Sequence, residues 1–290
     1  MASLRIDLHT HSTESDGTDT PEDLVAAAAA AELDVVALTD HDTTGGWAAA
    51  AAVLPARMQL VRGAEFSCTS ATGRGDRDVT VHLLGYLFDP EHAMIVAEQV
   101  RLRSERLERL RRMTTKMAAD GYPVDVETVL SFLPDGASAG RPHLARALVT
   151  AGVVGSVDEA FTTLLNDDSP YYVPKSDTPL SAAIDMVRAA GGVAVFAHPL
   201  ARRRGRCVEL SVIVELAASG LAGLEVDHPD HAPADRALLR GLATDLDLVV
   251  TGSSDYHGTN KTIPIGAEVT APEAFEELVS RAAGVGVLIG

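Results

Sequence analysis

Short apolar runs that alternate with helical segments are the feature that most constrains the fold of this chain. Helical patterns separate most of the runs, and the clearest begins at the N-cap Thr20, with Pro21 at its first position, and extends to about Leu33. A second pattern, Thr178–Ala190, starts in the same way. Strands and helices that alternate at this length predict a parallel sheet or barrel. The strand-like runs lie at residues 4–8, 35–38, 59–62, 79–84, 192–196, 223–226 and 248–250.

The segment 91–177 interrupts this alternation. It contains a long charged helical pattern at 91–119, shorter ones near 124–132, 141–151 and 157–165, and no convincing strand. We therefore predict that residues 1–90 and 178–290 form the barrel and that residues 91–177 are a helical insertion, which would cover the substrate as a lid. In the long helix, the arginines of 101–112 interleave with Glu105 and Glu108 at helical spacing, which predicts ion pairs within the helix instead of an RNA-binding stripe.

Histidine and acidic residues concentrate in six short motifs, most of which lie where an apolar run ends. In β/α barrels the reactive groups lie at the carboxyl ends of the strands, so these side chains are expected to converge. The exception is His82, which lies within its run. Imidazole and carboxylate are ligands of Zn, Mn and Fe(II), so the pattern predicts a multinuclear metal site and a hydrolase. The motifs are Asp7-Leu8-His9-Thr10-His11, Thr39-Asp40-His41, Gly63-Ala64-Glu65, Val81-His82, Ala197-His198-Pro199 and Ser254-Asp255-Tyr256-His257.

The charge balance of the chain narrows its partners and its compartment. With 24 basic and 41 acidic residues, the formal charge is −17, and such a surface is expected to repel duplex DNA and anionic membranes. Cys68 and Cys207 show no spacing typical of a disulfide or a metal site, which favours a reducing compartment. The sequence opens on a strand-like run instead of a signal peptide, and no apolar run approaches the roughly 20 residues of a membrane span. We therefore expect a cytoplasmic protein, whose oligomeric state stays open.

The same motifs, together with Ser15-Asp16-Gly17, Gly-Ala-Glu-Phe-Ser and His-Leu-Leu-Gly-Tyr, resemble those of the PHP (polymerase and histidinol phosphatase) phosphoesterases. The resemblance spans residues 5–257 and implies a distorted (β/α)7 TIM-like barrel with a metal cluster at its mouth. It implies two or three divalent ions, which N and O ligands leave open between Mn, Fe and Zn. The segment Gly140–Arg146 further resembles the branch that acts on nucleoside 3′,5′-bisphosphates and on the 5′ ends of short RNAs.

The resemblance assigns nine residues to the metal cluster. Glu65, His198 and Asp255 would also be the catalytic residues, and Glu65 would bridge two ions. Some relatives have histidine at the position of Asp16, and the carboxylate here makes that site richer in oxygen, which would favour Mn or Fe. Asp7 and Asp40 are expected to orient ligand imidazoles. One ion would be held by His9, His11, Glu65 and Asp255, a second by Glu65, His82 and His198, and a third by Asp16, His41 and His257.

Five residues outside this set are candidate contacts of the substrate: Arg141, His143, Lys175, Arg202 and His228. Arg141 opens a helix, so a phosphate would meet both a guanidinium and a helix N-terminus there. Arg202 begins a basic run shortly after His198. His143 is explained equally well as a core residue. The general acid is left open between His228 and a metal-bound water.

These features favour a metal-dependent phosphoesterase that acts on small nucleotides, above all on the 3′-phosphate of nucleoside 3′,5′-bisphosphates. A 5′→3′ exonuclease activity on short RNA would use the same site. Histidinol-phosphate phosphatase is an alternative, and the helical insertion argues against it because a compact substrate needs no such lid. A non-catalytic binding module is a third reading, and the presence of all nine ligand positions argues against it.

Overall fold

The fold is a mixed α/β barrel, seen in a computed structural model that describes residues 4–75, 78–131, 133–134, 136–166 and 168–290. The strands of this part of the chain are β1 (Ile6–Asp7), β2 (Val35–Leu38), β3 (Gln59–Ser70), β4 (Val79–Tyr86), β5 (Thr178–Pro179), β6 (Val193–Phe196), β7 (Gly223–Asp227), β8 (Val249–Gly252) and β9 (Leu288–Ile289). The helices are α1 (Pro21–Ala30), α2 (Trp47–Ala52), α3 (Ala93–Ala119), α4 (Val126–Leu130), α5 (Arg141–Thr150), α6 (Val157–Thr163), α7 (Leu180–Ala189), α8 (Leu210–Ala218), α9 (Pro233–Asp245) and α10 (Pro272–Arg281).

The sheet follows the order β1-β2-β3-β4-β6-β7-β8, and β5 and β9 pair alongside β3. An isolated parallel bridge between Thr10 and Tyr256, which follow β1 and β8, brings the two ends of the sheet together. Along β2, Val35 and Ala37 belong to one hydrophobic cluster while Val36 and Leu38 belong to another, as the alternating faces of a strand require. The predicted α/β barrel is therefore confirmed.

One strand runs against the predicted direction. β4 is antiparallel to both β3 and β6, so that Ser67 lies opposite His82 and Leu83 lies opposite Phe196. The prediction of a parallel sheet was wrong here because only residues 71–78 separate β3 from β4, whereas a parallel connection needs a dozen or more. The reversal also explains His82, since early residues of a reversed strand lie level with the ends of its parallel neighbours.

The predicted start of α1 is confirmed, because the side chain of Thr20 accepts a hydrogen bond from the backbone N–H of Asp23 at 3.1 Å. The start of α7 differs from the prediction. Thr178 does not cap that helix but forms β5 with Pro179 and pairs with Cys68 of β3, so the helix begins at Leu180.

Helices α3 to α6 form a hydrophobic cluster of their own, which includes Met113, Leu144 and Leu148. The first half of α3 instead packs on the barrel, through Ile95 and Leu102. The predicted end of the helix near residue 132 falls on Phe132, which lies outside the described residues, as do residues 1–3 of the predicted barrel. Within the described part of the chain, no helix combines the length and the apolar character that crossing a membrane requires.

The arginines of α3 do not form the predicted pairs with Glu105 and Glu108. Arg101 does pair within the helix, with Glu98 at 2.6 Å. Arg106 points away from the helix and pairs with Asp42 at 2.5 Å. Arg109 donates to the carbonyl oxygen of Val173 at 2.6 Å. The prediction was wrong for these two because their side chains are buried between α3 and neighbouring segments.

Candidate metal centre

The nine residues assigned by the resemblance meet in one buried network at the mouth of the barrel. Eight of them are buried, and the His82 side chain is 22 % exposed. Two of the nine, His198 and Asp255, have left-handed backbones with φ of 30° and 53°. A non-glycine residue in such a conformation costs about 1–3 kcal/mol and persists where the surrounding structure imposes it, which is common at functional sites. The nine are His9, His11, Asp16, His41, Glu65, His82, His198, Asp255 and His257.

Glu65 of β3 lies at the centre of this network, and its two oxygens face different imidazoles. Oε1 lies 2.9 Å from Nδ1 of His82 and 3.1 Å from Nε2 of His198. A carboxylate divided in this way suits a bridge between two cations. On the other side, Oε2 lies 3.2 Å from Nε2 of His9, 3.1 Å from Nε2 of His11 and 3.2 Å from Nδ1 of His41.

Three groups of donor atoms within this network are close enough to share an ion, each with its atoms within 4.8 Å of one another. Asp16 Oδ1, His41 Nδ1 and His82 Nδ1 are buried and lack a hydrogen bond of acceptable geometry within the described residues. Buried lone pairs of this kind are normally satisfied, and a divalent cation would satisfy them, so the residues fit metal ions. The groups are His11 with Asp16, His41 and His257; His9 with His11 and Asp255; and His41 with Glu65 and His82.

The protonation states of most of these groups suit metal binding. Burial would raise the pKa of Glu65, but His82 and His9 outweigh it and hold that pKa well below its usual range. Burial lowers the pKa of His198 to about 3 and that of His257 to about 4, which keeps both imidazoles neutral. Ionised carboxylates and neutral imidazoles are the forms that coordinate a metal.

His9 and His11 differ from the other imidazoles. Burial alone would lower their pKa values, but neighbouring carboxylates raise the pKa of His9 well above its usual value and that of His11 to about 9. The carboxylates responsible include Glu65 for both residues. Binding of an ion at these two imidazoles is therefore coupled to release of protons.

Glu225 of β7 supports the centre and was missed by the sequence analysis. Its side chain is fully buried, and its Oε1 lies 2.9 Å from Nδ1 of His9. Its Oε2 accepts a hydrogen bond from the backbone N–H of His198 at 2.8 Å. A carboxylate behind a ligand imidazole fixes the ring and its tautomer. The signal in the sequence was an acidic residue inside an apolar strand.

Asp7 and Asp40 act on the centre through other groups. Asp40 accepts a hydrogen bond from the hydroxyl of Ser15 at 2.6 Å, and that hydroxyl lies 3.3 Å from Nδ1 of His11. Asp7 accepts from the hydroxyl of Ser254 at 2.6 Å and from the backbone N–H of His9 at 3.3 Å. The prediction that these carboxylates contact ligand imidazoles directly was wrong, since each side chain points to a serine beside a ligand.

Of the predicted substrate contacts, His228 and Lys175 are buried side chains close to acidic groups. His228 lies with its Nε2 3.4 Å from Oδ2 of Asp255. Lys175 lies 2.9 Å from Asp177, and burial lowers its pKa to about 8. Arg202 is largely exposed and pairs with Asp235 at 3.1 Å.

The other two predicted contacts lie at the start of α5. Arg141 donates to the carbonyl oxygen of Leu165 at 2.8 Å and lies over the rings of Phe161 and Tyr172 at 5.5 and 5.8 Å. His143 is buried, and its Nδ1 accepts a hydrogen bond from the backbone N–H of Gly140 at 3.0 Å. In this structure both side chains therefore contribute to the packing and capping of the helices.

Known proteins share this architecture. The sequence signature of the PHP domain matches residues 7–173. The chain is 34 % identical over 253 residues to the 3′,5′-nucleoside bisphosphate phosphatase of Chromobacterium violaceum, covering 87 % of each chain. It is 33 % identical over 255 residues to a 5′-3′ exoribonuclease of Haemophilus influenzae, covering 87 % of this chain and 90 % of the relative. It is 34 % identical over 281 residues to the phosphoribosyl 1,2-cyclic phosphate 1,2-diphosphodiesterase of Eggerthella lenta, covering 91 % of this chain and 99 % of the relative.

Solved structures give the same result. A protein from Bifidobacterium adolescentis, described as a metal-dependent phosphoesterase, superimposes with a TM-score of 0.89 at 35 % identity, over 97 % of this chain and 98 % of the other. A protein from Chromobacterium violaceum, described as an amidohydrolase with bound sulfate, superimposes with a TM-score of 0.83 at 31 % identity, over 99 % of this chain and 98 % of the other. The chain therefore belongs to the PHP domain family, and it is a metal-dependent phosphoesterase.

Proposed function

We propose that this phosphoesterase removes phosphate from small nucleotides, in particular the 3′-phosphate of nucleoside 3′,5′-bisphosphates. The observation that carries the hydrolytic part is the Glu65 carboxylate, whose two oxygens face two separate sets of imidazoles. The substrate class is supported by the similarity to the bisphosphate phosphatase of Chromobacterium violaceum. A 5′→3′ exonuclease activity on short RNA is supported by the relative from Haemophilus influenzae.

We propose that the nine buried residues hold two or three divalent ions, of which Glu65 is the shared ligand. When bound, such ions activate a water and stabilise the negative charge that develops on the phosphoryl oxygens. Glu225 orients His9 for this role, and Ser15 does the same for His11. The chain itself thus supplies a preformed and largely water-excluded set of ligands.

His228 is the side chain that we propose as the general acid. Its Nδ1 accepts a hydrogen bond from the backbone N–H of Asp230 at 3.0 Å, so in the neutral ring the proton is on Nε2. That atom lies 3.4 Å from Oδ2 of Asp255, at the edge of the metal centre. The ring is therefore held in the tautomer that can pass a proton to a leaving oxygen beside the centre.

We further propose that residues 91–177 cover the substrate while residues 1–90 and 178–290 provide the barrel. The support is α3, whose arginines reach across to the barrel at Asp42, directly after His41. Arg141, His143, Lys175 and Arg202 stay predictions as substrate contacts. Charged side chains at this junction suit a substrate that carries a second phosphate away from the scissile bond.

The relative from Eggerthella lenta supports a second candidate, the opening of a cyclic phosphate on a sugar. Its identity of 34 % extends over 281 residues and covers 99 % of the relative, so no large segment distinguishes the two chains. Hydrolysis of such a diester would use the same ions and ligands.

The test is phosphate release by Mn-loaded protein from adenosine 3′,5′-bisphosphate, measured beside phosphoribosyl 1,2-cyclic phosphate, histidinol phosphate and short 5′-phosphorylated RNA. Preference for the bisphosphate, with AMP as product, supports the proposal. Turnover of the cyclic phosphate or of histidinol phosphate alone would assign the chain to that substrate instead. Glu65→Ala serves as the control and should abolish every activity while the fold is retained. Inactivity on all four substrates would favour a binding module.

A further inference from the structure

The carboxylate of Asp255 is divided between two environments. Its Oδ1 lies 3.5 Å from Nε2 of both His9 and His11 and 3.4 Å from Nδ1 of His257. Its Oδ2 accepts hydrogen bonds from two cations, Arg204 Nη2 at 2.6 Å and Lys261 Nζ at 2.7 Å. One oxygen therefore faces the metal centre and the other faces positive charge.

Both cations are held in place by further contacts. Arg204 ends the short 3-10 turn Arg202–Arg204, and its Nε donates to Oδ2 of Asp230 at 2.6 Å. Lys261 lies close to Asp255 in sequence, and its Nζ also lies 3.4 Å from the Asp255 carbonyl oxygen. The two cations reach one oxygen from separate loops, so its geometry is fixed from two directions.

The backbone of Asp255 explains why such fixing is needed. Its φ is 53°, in the left-handed region that costs a residue with a side chain about 1–3 kcal/mol. A residue in this conformation keeps its orientation only where neighbouring groups impose it. The side chain is almost fully buried, so solvent cannot do so.

We propose that Arg204 and Lys261 are positioning residues of the metal centre, which hold Oδ2 of Asp255 so that Oδ1 alone is presented to the ion. This inference rests on the proposed role of Asp255 as a metal ligand, but it does not depend on which phosphate ester is the substrate. It assigns a role to one arginine of the basic run, Arg204, and to a lysine that none of the metal-ligand motifs contains.

A simpler role for these cations would be to offset the acidic charge around the centre. The two roles predict opposite effects on metal affinity. If the cations only balance charge, removing one removes repulsion, and a divalent ion should bind more tightly. If they position Asp255, removing one frees the carboxylate, and affinity should fall about 10–100-fold, as it does when the group that holds a metal ligand is lost.

The experiment is a calorimetric titration of Mn²⁺ into chelator-treated protein without any substrate, for wild type, Lys261→Met and Arg204→Gln. We expect the affinity of one class of sites to fall roughly tenfold or more in both variants. Arg203→Gln is the matched control, because Arg203 lies in the same turn and is exposed. Its affinity should equal that of wild type, and Lys261→Arg should restore most of the loss caused by Lys261→Met.

Unchanged or tighter Mn²⁺ binding in variants that keep the wild-type circular dichroism spectrum would overturn the proposal. If Arg204→Gln does not fold, Lys261→Met decides the question, because its side chain lies on a loop and buries no second partner charge. A wild type that binds Mn²⁺ but releases no phosphate from any nucleotide would contradict the proposed substrate only. The loss of affinity in Lys261→Met would still support the positioning role.

Discussion

At the scale of single residues, the carboxylate of Glu225 and the imidazole of His9 form the best-defined support of the centre, at 2.9 Å and with no exposure to solvent. Glu225→Gln should lower metal affinity or kcat about 10–100-fold, because the amide holds the imidazole less strongly and adds N–H donors to a site that needs acceptors. Mn²⁺ titration and kcat measurement would check this. The exposed Glu215→Gln is the control, and equal values for both variants would contradict the prediction.

His143 makes a prediction about pH. Burial and Arg146 lower its pKa from 6.5 to about 4, so the folded chain binds fewer protons than the unfolded chain between these values. Its stabilising contribution is therefore complete above pH 6.5 and is lost as the pH falls towards 4, by at most about 1.4 kcal/mol per unit. Denaturant unfolding at pH 7 and pH 5 should show a smaller difference for His143→Gln than for wild type. Glutamine can still accept from the Gly140 N–H, as it does in a capping box.

The sequence predicted the convergence of the nine imidazole and carboxylate residues because each lies at or near the end of a strand, where a barrel brings side chains together. It did not predict Glu225, which lies within β7, or Lys261, which lies in a loop. The first was hidden in an apolar run. The second is brought to Asp255 by the path of a loop, which no periodicity describes.

At the scale of elements, α3 is fastened to the barrel through Arg106. Its guanidinium pairs with Asp42 at 2.5 Å and donates to the hydroxyl of Ser67 at 2.6 Å, while the backbone N–H of Asp42 donates to the carbonyl oxygen of Glu65 at 3.1 Å. A parallel bridge joins His41 to Glu65 at the same point. The helix thus contacts the segment that carries two of the candidate ligands.

Removing one side of this pair leaves a buried charge without its partner. We expect Arg106→Met to lower the free energy of unfolding by about 3–5 kcal/mol, measured by urea denaturation. Arg112→Met, at an exposed position of the same helix, should change it by much less. Adding Asp42→Asn to Arg106→Met should recover part of the loss. A double variant that is less stable by the sum of both single effects would show that the two side chains do not interact.

The direction of β4 shows where a sequence pattern ends as a guide to elements. Apolar runs located β3 and β4, but the runs carry no information on direction. The connection did carry it, since residues 71–78 are too few for a parallel crossover, and the rhythm of the neighbouring β/α units concealed this. The pairing of Arg106 with Asp42 was hidden for a related reason, because helical spacing with Glu105 and Glu108 offered a local alternative.

At the scale of the whole molecule, metal binding and stability are linked. Ions that bind the folded chain and not the unfolded one stabilise it by about 2.7 kcal/mol at a concentration 100 times Kd. Mn²⁺ should therefore raise Tm by roughly 5 °C or more, and EDTA should reverse the effect. Differential scanning fluorimetry would measure it, with Glu65→Ala as the variant in which the shift shrinks. A Tm independent of Mn²⁺ in wild type would contradict a centre built from these residues.

The bridge between Thr10 and Tyr256 has a consequence for the order in which the molecule is made. The candidate ligands on either side of this seam are His9 and His11 from one part of the chain and Asp255 and His257 from another, more than 240 positions later. A chain emerging from the ribosome exposes its first imidazoles long before their partners have been translated. Completion of the ion-binding set is thus delayed until residue 257 has left the exit tunnel, and a fragment released earlier would carry histidines without the means to retain an ion.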